Sequence, residues 1–205
     1  RWILRVGCQG VMGMRAALAR DVLNVTPDKV RVLTGNVGGS FGMKAQPYPE
    51  YGPLLLASKL LGRPVKWTDD RTESFLSDHH GRDHQRLAEL ALDKDGNFLA
   101  VRLTGTGNAG AYINPPLQPT TNAVKNLIDV YRTPAMEVNT KVVFTNTTPI
   151  GAYRGAGRPE ANYFMERLIT TAAREMGVDQ VELRRRNHIR NDEFPYKAPS
   201  DMRYD

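Results

Sequence analysis

Two short runs carry residue types able to do chemistry: GGSFGMK at 38–44 and AYRGAGRPE at 152–160. Glycine lacks the Cβ that keeps a ligand away from the main chain, so successive amides in such a run can form an anion-accepting concavity. The second run adds two permanent cations with planar donor forks, Arg154 and Arg158. Its Pro159 suits a first helical turn, where free amides and the positive end of the helix dipole lie. A large anionic cofactor, a phosphate or pterin, fits both runs. Two plainer alternatives stand beside this: glycines at a strand end also make tight turns, and the arginines can pair with acids, Glu160 being the nearest.

The remaining reactive residue types give less. His80 and His84 are spaced i,i+4 beside His79, but Gly81 interrupts the segment and the reading is a solvated loop. Cys8 has no histidine or CxxC partner and reads as buried packing. The run GTGNAGAY at 105–112 is either pocket lining or a glycine-weakened strand with bulges. Asp129 and Glu166 have no carboxylate at a set spacing, so no acid/base pair is visible.

The elements that must position these runs follow from periodicity and punctuation. A strand over 1–6 and a helix over 13–23, with Met14, Leu18 and Val22 on one side, precede a strand at 30–33 that feeds the first glycine run. A helix over 48–61, closed by Gly62, would bury Leu54, Leu55, Ala57, Leu60 and Leu61, and a strand would follow at 65–67. Strands at 86–92 and 98–103 flank a turn at 93–97, and another strand covers 138–144. After the second glycine run come a helix over 160–176 ended by Gly177, and a last helix capped by Asp179. Strands and helices interleave without a clean βαβ period, which implies an α+β fold in one domain over 1–205.

Composition sets the outer bounds. The 205 residues are 40% hydrophobic and 24% charged, with no apolar run of the length a bilayer crossing needs. The net charge of +6 suits anionic ligands, but only Arg184, Arg185 and Arg186 cluster, which fits a solvated helix face better than a nucleic-acid surface. One cysteine excludes an internal disulfide framework and agrees with a reducing compartment, the cytoplasm. The sequence opens directly on a strand and stops at Asp205 with no closing element, which implies an excised piece of a longer chain.

Taken together, Gln9-Gly10, the run at 37–44 and the run at 152–160 resemble the molybdenum-cofactor-binding large subunit of the xanthine dehydrogenase and aldehyde oxidase family. The wording AYRGAGR resembles in particular the form II aerobic carbon monoxide dehydrogenase-like group. The resemblance implies mixed sheets with packed helices, the first molybdopterin-binding domain of a molybdenum hydroxylase. It implies a molybdenum–molybdopterin cofactor in the cytosine dinucleotide form, the metal held by the pterin dithiolene and by no protein ligand. Gln9 would hydrogen-bond the metal's oxo group or the pterin. Gly38, Gly39, Phe41 and Gly42 would border the cofactor on one loop, Arg154 and Gly155 on the other, with Ala45, Asn122 and Ala156 lining the substrate pocket.

Departures from the family pattern narrow what the resemblance implies. Ala45 stands where xanthine-oxidising members have a glutamate, and Asn122 where they have a substrate-orienting arginine. Gly155 stands where true carbon monoxide dehydrogenases carry a copper-bound cysteine. The implied activity of the parent is hydroxylation of an aldehyde or heteroaromatic carbon with water as oxygen source, electrons leaving through iron–sulfur and FAD partners. The family's catalytic glutamate is expected beyond Asp205, so this chain would hold no catalytic residue and be inactive alone. Two alternatives remain: a non-catalytic domain for an anionic ligand such as a phosphate-bearing cofactor, and a salt-sensitive phosphate or nucleic-acid binder.

Overall fold

The computed structural model describes residues 1–114 and 118–205. It contains two compact units, residues 1–79 and 80–205. The α+β class holds.

In the first unit β1 (Trp2–Arg5) and β2 (Val30–Leu33) pair in parallel, Trp2 opposite Val30 and Arg5 opposite Leu33. The crossover between them is α1 (Val11–Ala17), continued by a π-helical turn over Leu18–Val22. Met14 and Leu18, one turn apart, are fully buried with Leu4, Cys8, Val30, Tyr51 and Leu55. Val22 does not join them and is 40% exposed. The wider π turn changes the residues per turn and rotates Val22 off the stripe that a regular helix would have kept.

α2 (Tyr51–Leu61) ends at Gly62 with φ 63, as the sequence implies. Only Tyr51 and Leu55 on it are buried, and Leu60 is 76% exposed. A two-stranded sheet and one helix cover a single line of α2, too narrow for the broad face expected. The strand expected at 65–67 does not form. Pro64 removes a donor at its start, and among the described residues β1 and β2 pair only with each other. Instead α3 (Arg71–Ser77) follows, begun by a capping box in which the Asp70 carboxylate accepts from the Glu73 amide at 2.9 Å and Glu73 accepts from the Asp70 amide.

The second unit is built on a three-stranded sheet. β3 (His84–Leu92) and β4 (Phe98–Gly110) form the expected hairpin, and β5 (Ala135–Phe144) adds in parallel to β4. Asp93 shapes the hairpin turn by accepting from the Asp95 and Asn97 amides at 2.9 Å each. Of the run at 105–112, residues 105–110 are the end of β4, with a bulge between Asn108 and Gly110, and 111–112 bend away beyond it. α4 (Gln118–Lys125) lies between β4 and β5 in sequence, and α5 (Arg158–Met176) ends at Gly177 with φ 68.

Met165 and Ile169 of α5, one turn apart, pack with Phe98, Val101 and Leu103 of β4 and with Leu127, Ile128 and Leu183. α6 (Gln180–Asn187) is capped by Asp179, which accepts from the Val181 and Glu182 amides. A two-residue ribbon, β6 (Tyr196–Lys197) with β7 (Arg203–Tyr204), closes the described chain. Arg184 bonds Glu166 at 2.8 Å and Arg186 bonds the Asp95 carbonyl, so two of the three clustered arginines serve packing. Among the described residues no helix is long and apolar enough to cross a membrane.

Candidate cofactor-binding loops

The first loop hangs from the end of β2 and is closed on Gln9, just past β1. The Gln9 amide donates to the Lys44 carbonyl at 2.9 Å. Its side-chain Oε1 accepts from the Gly42 amide at 2.9 Å and from the Ser40 hydroxyl at 2.5 Å. With Oε1 committed inside the loop, the exposed Gln9 side chain has its NH₂ to offer outward, a donor for an acceptor atom. Gly42's amide is thereby spent on holding Gln9.

Left-handed backbone makes this closure possible: Gly38, Gly39, Phe41 and Gly42 have φ of 64, 93, 53 and 103. At Gly39 a Cβ would sit 2.7 Å from the Phe41 ring and φ is 93, so the aromatic lies over the glycine and a side chain there would be strained. Lys44 folds back, its Nζ donating to the Val37 and Gly39 carbonyls at 2.6 and 2.8 Å. A 3₁₀ turn over Met43–Ala45 leaves Ala45 half-buried at the loop's exit.

Beside this loop lies a cavity of 210 Å³ lined by Gly7, Lys44, Tyr48, Tyr51, Trp67 and Asp78 among others. Burial pushes both phenols up, Tyr51 to about 12. His79 is buried, stacked on Tyr48 with centroids 4.4 Å apart, and burial lowers its pKa. This corrects the solvated-loop reading for His79; the stacking aromatic lies 31 residues away in sequence, with nothing to announce it. His80 is exposed. Among the described residues no cluster could hold a metal ion.

The second loop leads from β5 into α5. Gly155, Ala156 and Gly157 have consecutive positive φ of 98, 48 and 104. A Cβ on Gly155 would lie 2.5 Å from the Pro159 ring, and one on Gly157 would lie 2.2 Å from the Pro119 carbonyl oxygen of α4. The chain therefore turns sharply against proline and helix backbone before α5 begins. Arg154 stands exposed at the apex, and the first-turn amides of α5 follow it.

Glu160 does find a cation, but neither Arg154 nor Arg158 provides it. Arg82 Nη1 approaches the Glu160 carboxylate at 3.5 Å, and the same guanidinium lies over the Tyr153 ring at 5.2 Å. Arg82 also donates to the Tyr153 and Arg154 carbonyls at 3.1 and 3.0 Å. Arg158 reaches back to the Gly155 carbonyl at 3.4 Å, and the Asn122 amide donates to the Ala156 carbonyl at 2.9 Å. Asn122 and Ala156, both expected at the substrate pocket, are thus brought together in one hydrogen bond.

Next to this loop is a cleft of 390 Å³ lined by Arg82, Asp83, His84, Pro159, Glu160, Tyr163 and Phe164. Burial, and then the Arg86 charge, lowers the His84 pKa. Burial also lowers the pKa of Arg86, whose three guanidinium nitrogens are buried and find no hydrogen-bond partner among the described residues. Lys44 and Arg82 were invisible as site residues in the sequence, because their partners are loop carbonyls, for Arg82 71 and 72 positions away. The first loop presents a carboxamide NH₂ and the second an exposed guanidinium and a helix N-terminus, each a donor type suited to anionic groups.

The chain matches the family model of the molybdopterin cofactor-binding domain over residues 1–188. It is 36% identical to the gamma subunit of the 6-hydroxypseudooxynicotine dehydrogenase complex of Paenarthrobacter nicotinovorans, over 88% of this chain and 23% of that protein. It is 35% identical to the carbon monoxide dehydrogenase large chain of Hydrogenophaga pseudoflava, over the same shares. Among solved structures, quinoline 2-oxidoreductase from Pseudomonas putida 86 superposes with a TM-score of 0.92 at 35% identity, across 98% of this chain and 26% of that one. The chain spans about a quarter of the length of the relatives it matches.

Proposed function

Because this chain belongs to the molybdopterin cofactor-binding domain family of the molybdenum hydroxylases, we propose that its two glycine loops each present donors to molybdopterin in a parent enzyme that hydroxylates a heteroaromatic or aldehyde carbon. The observation that carries this reading is the commitment of Gln9 Oε1 to Gly42 and Ser40, which leaves the carboxamide NH₂ as an outward donor. When bound, the molybdenum–pterin group supplies the two-electron chemistry that places a water-derived oxygen on carbon. Gln9 and the first loop orient that group. Arg154 and the N-terminus of α5 meet its anionic parts.

The substrate class follows from what the loops lack. Ala45 offers no carboxylate and Asn122 no guanidinium, so a purine would find no charged partner at either position. Gly155 has no thiol for copper, and its φ of 98 and the 2.5 Å approach of Pro159 leave no room for a cysteine Cβ. Relatives named for quinoline and for 6-hydroxypseudooxynicotine support a heteroaromatic ring. The catalytic base is a glutamate outside this chain, and electrons pass to iron–sulfur and FAD partners. The pterin is the cytosine dinucleotide form and the enzyme is cytoplasmic.

The test is metal and pterin analysis of the purified full-length enzyme, with quinoline and aldehyde turnover followed through an electron-accepting dye. Turnover without molybdenum would sink the assignment. Turnover by the 205-residue chain alone would overturn the placement of the base elsewhere.

A further inference from the structure

Four consecutive carbonyls of the second loop, those of residues 153 to 156, each accept a hydrogen bond from a side chain: Arg82 takes two, Arg158 one and Asn122 one. A trans peptide is planar, so a carbonyl that cannot swing fixes the N–H of the next residue antiparallel to it. Fixing these four carbonyls therefore fixes the amides of Arg154, Gly155, Ala156 and Gly157. Of those, Ala156 donates to the Tyr153 carbonyl at 2.9 Å, and the next amide, Arg158, to Gly155 at 3.1 Å.

We propose that Arg82 and Asn122 are positioning residues that clamp the carbonyl edge of this loop and so hold its amide edge ready for the cofactor. Neither residue touches the reacting atoms in this role. Arg82 is suited to it by its planar fork, which spans two successive carbonyls while the same group lies 3.5 Å from the buried Glu160 carboxylate and over the Tyr153 ring. Lysine, a point charge, could satisfy Glu160 but not both carbonyls. Arg82 itself, with Asp83, sits in left-handed backbone at φ 69 and 66. That strained turn is held in place by Asn108, whose side chain and amide bond the Asp83 carboxylate and carbonyl at 2.7 and 3.1 Å. Asn122 does the matching work from α4, so the position the resemblance places in the substrate pocket acts on the loop.

The part of this inference that concerns the cofactor rests on the function proposed above, and the experiment separates the two. In the full-length protein, hydrogen exchange of the peptide covering 152–158 is followed by mass spectrometry for Arg82→Lys, Arg82→Gln and Asn122→Ala, with the middle of α5 as internal reference. Exchange of the Ala156 and Arg158 amides is expected to quicken about tenfold in each variant, including Arg82→Lys, while α5 is unchanged. Unchanged loop exchange in Arg82→Lys and Asn122→Ala would overturn the clamp.

Bound pterin and molybdenum are measured on the same samples. A faster loop with full cofactor content would leave the clamp standing and remove the cofactor from its amide edge, whereas loss of both supports the two readings together. For Asn122→Ala a fall in kcat at constant KM is the positioning result; a raised KM with normal exchange would return Asn122 to the substrate pocket and overturn its part in the clamp. If Arg82→Gln fails to fold, Arg82→Lys and Asn122→Ala still decide.

Discussion

Replacing Gly157 by alanine tests how tightly the second loop is seated. The new Cβ would meet three backbone atoms of α4: the Pro119 oxygen at 2.2 Å, the Ala123 nitrogen at 2.8 Å and the Pro119 carbonyl carbon at 2.9 Å. None can rotate away as a side chain would, so α4 or the loop must move, at about 1–3 kcal/mol for overpacking. The backbone at φ 104 adds about 1–2 kcal/mol for a residue with a Cβ. Restriction of the unfolded chain returns about 0.4–1 kcal/mol. The net loss is about 3 kcal/mol, which for a chain of this size lowers Tm by roughly 6–12 °C. The neighbouring change Ala156→Gly is the control. It relieves about 1 kcal/mol at φ 48, returns most of it through the unfolded state, and leaves the bond from Asn122 in place. Thermal and urea unfolding of both variants read the difference. A Gly157→Ala protein as stable as its parent, or an Ala156→Gly protein equally damaged, would refute the close-approach argument.

Asn187, 1% exposed, accepts from the Phe98 amide at 2.8 Å and donates to the Gly96 and Leu183 carbonyls at 2.8 and 2.9 Å, tying α6 to the hairpin. Asn187→Ala leaves buried groups unpaired and is expected to cost about 3–4 kcal/mol, read as a lower urea midpoint at unchanged slope. His79 is held neutral by burial, its folded pKa below 6.5, so the unfolded state binds more protons between that value and 6.5. Stability should therefore fall on acidification through this window. His79→Gln should flatten the fall by at most about 1.4 kcal/mol per pH unit, with His84 keeping a residual slope of the same sign; an unaltered pH profile would count against it. Gln9→Glu preserves an acceptor for Gly42 and Ser40 but removes the NH₂, so unfolding should be unchanged to about 1 kcal/mol while molybdenum content drops about tenfold. Normal content would show that the outward donor is not used.

Local chemistry made much of the fold legible. The β3–β4 hairpin, α5 up to Gly177 and the Asp179 cap depend on signals within a few residues of one another, and they stand where the sequence places them. The local signal for α3 is as strong, a capping box between Asp70 and Glu73 three residues apart, yet the sequence reading placed no helix there. What failed needed knowledge of the neighbours. Whether Leu60 is buried depends on how wide a surface faces α2, and whether 65–67 pairs depends on a free strand edge. The glycine loops could be found, but not their supports: Arg82 is separated from Tyr153 by 71 positions and Asn122 from Ala156 by 34.

Those supports explain why the two loops, unrelated in sequence beyond their glycines, behave alike. Lys44 holds the Val37 and Gly39 carbonyls in the first, and Arg82 holds those of Tyr153 and Arg154 in the second. In each case a cation stands on the carbonyl side, where the peptide dipoles would otherwise present negative ends. It fixes the amides antiparallel to those carbonyls and adds positive potential behind them, so that in the function proposed above an anion would meet donors already oriented. Glycine supplies the shape of such a loop but cannot supply its rigidity. A glycine-rich sequence with no cation placed on its carbonyl edge would remain the flexible turn that its composition alone suggests.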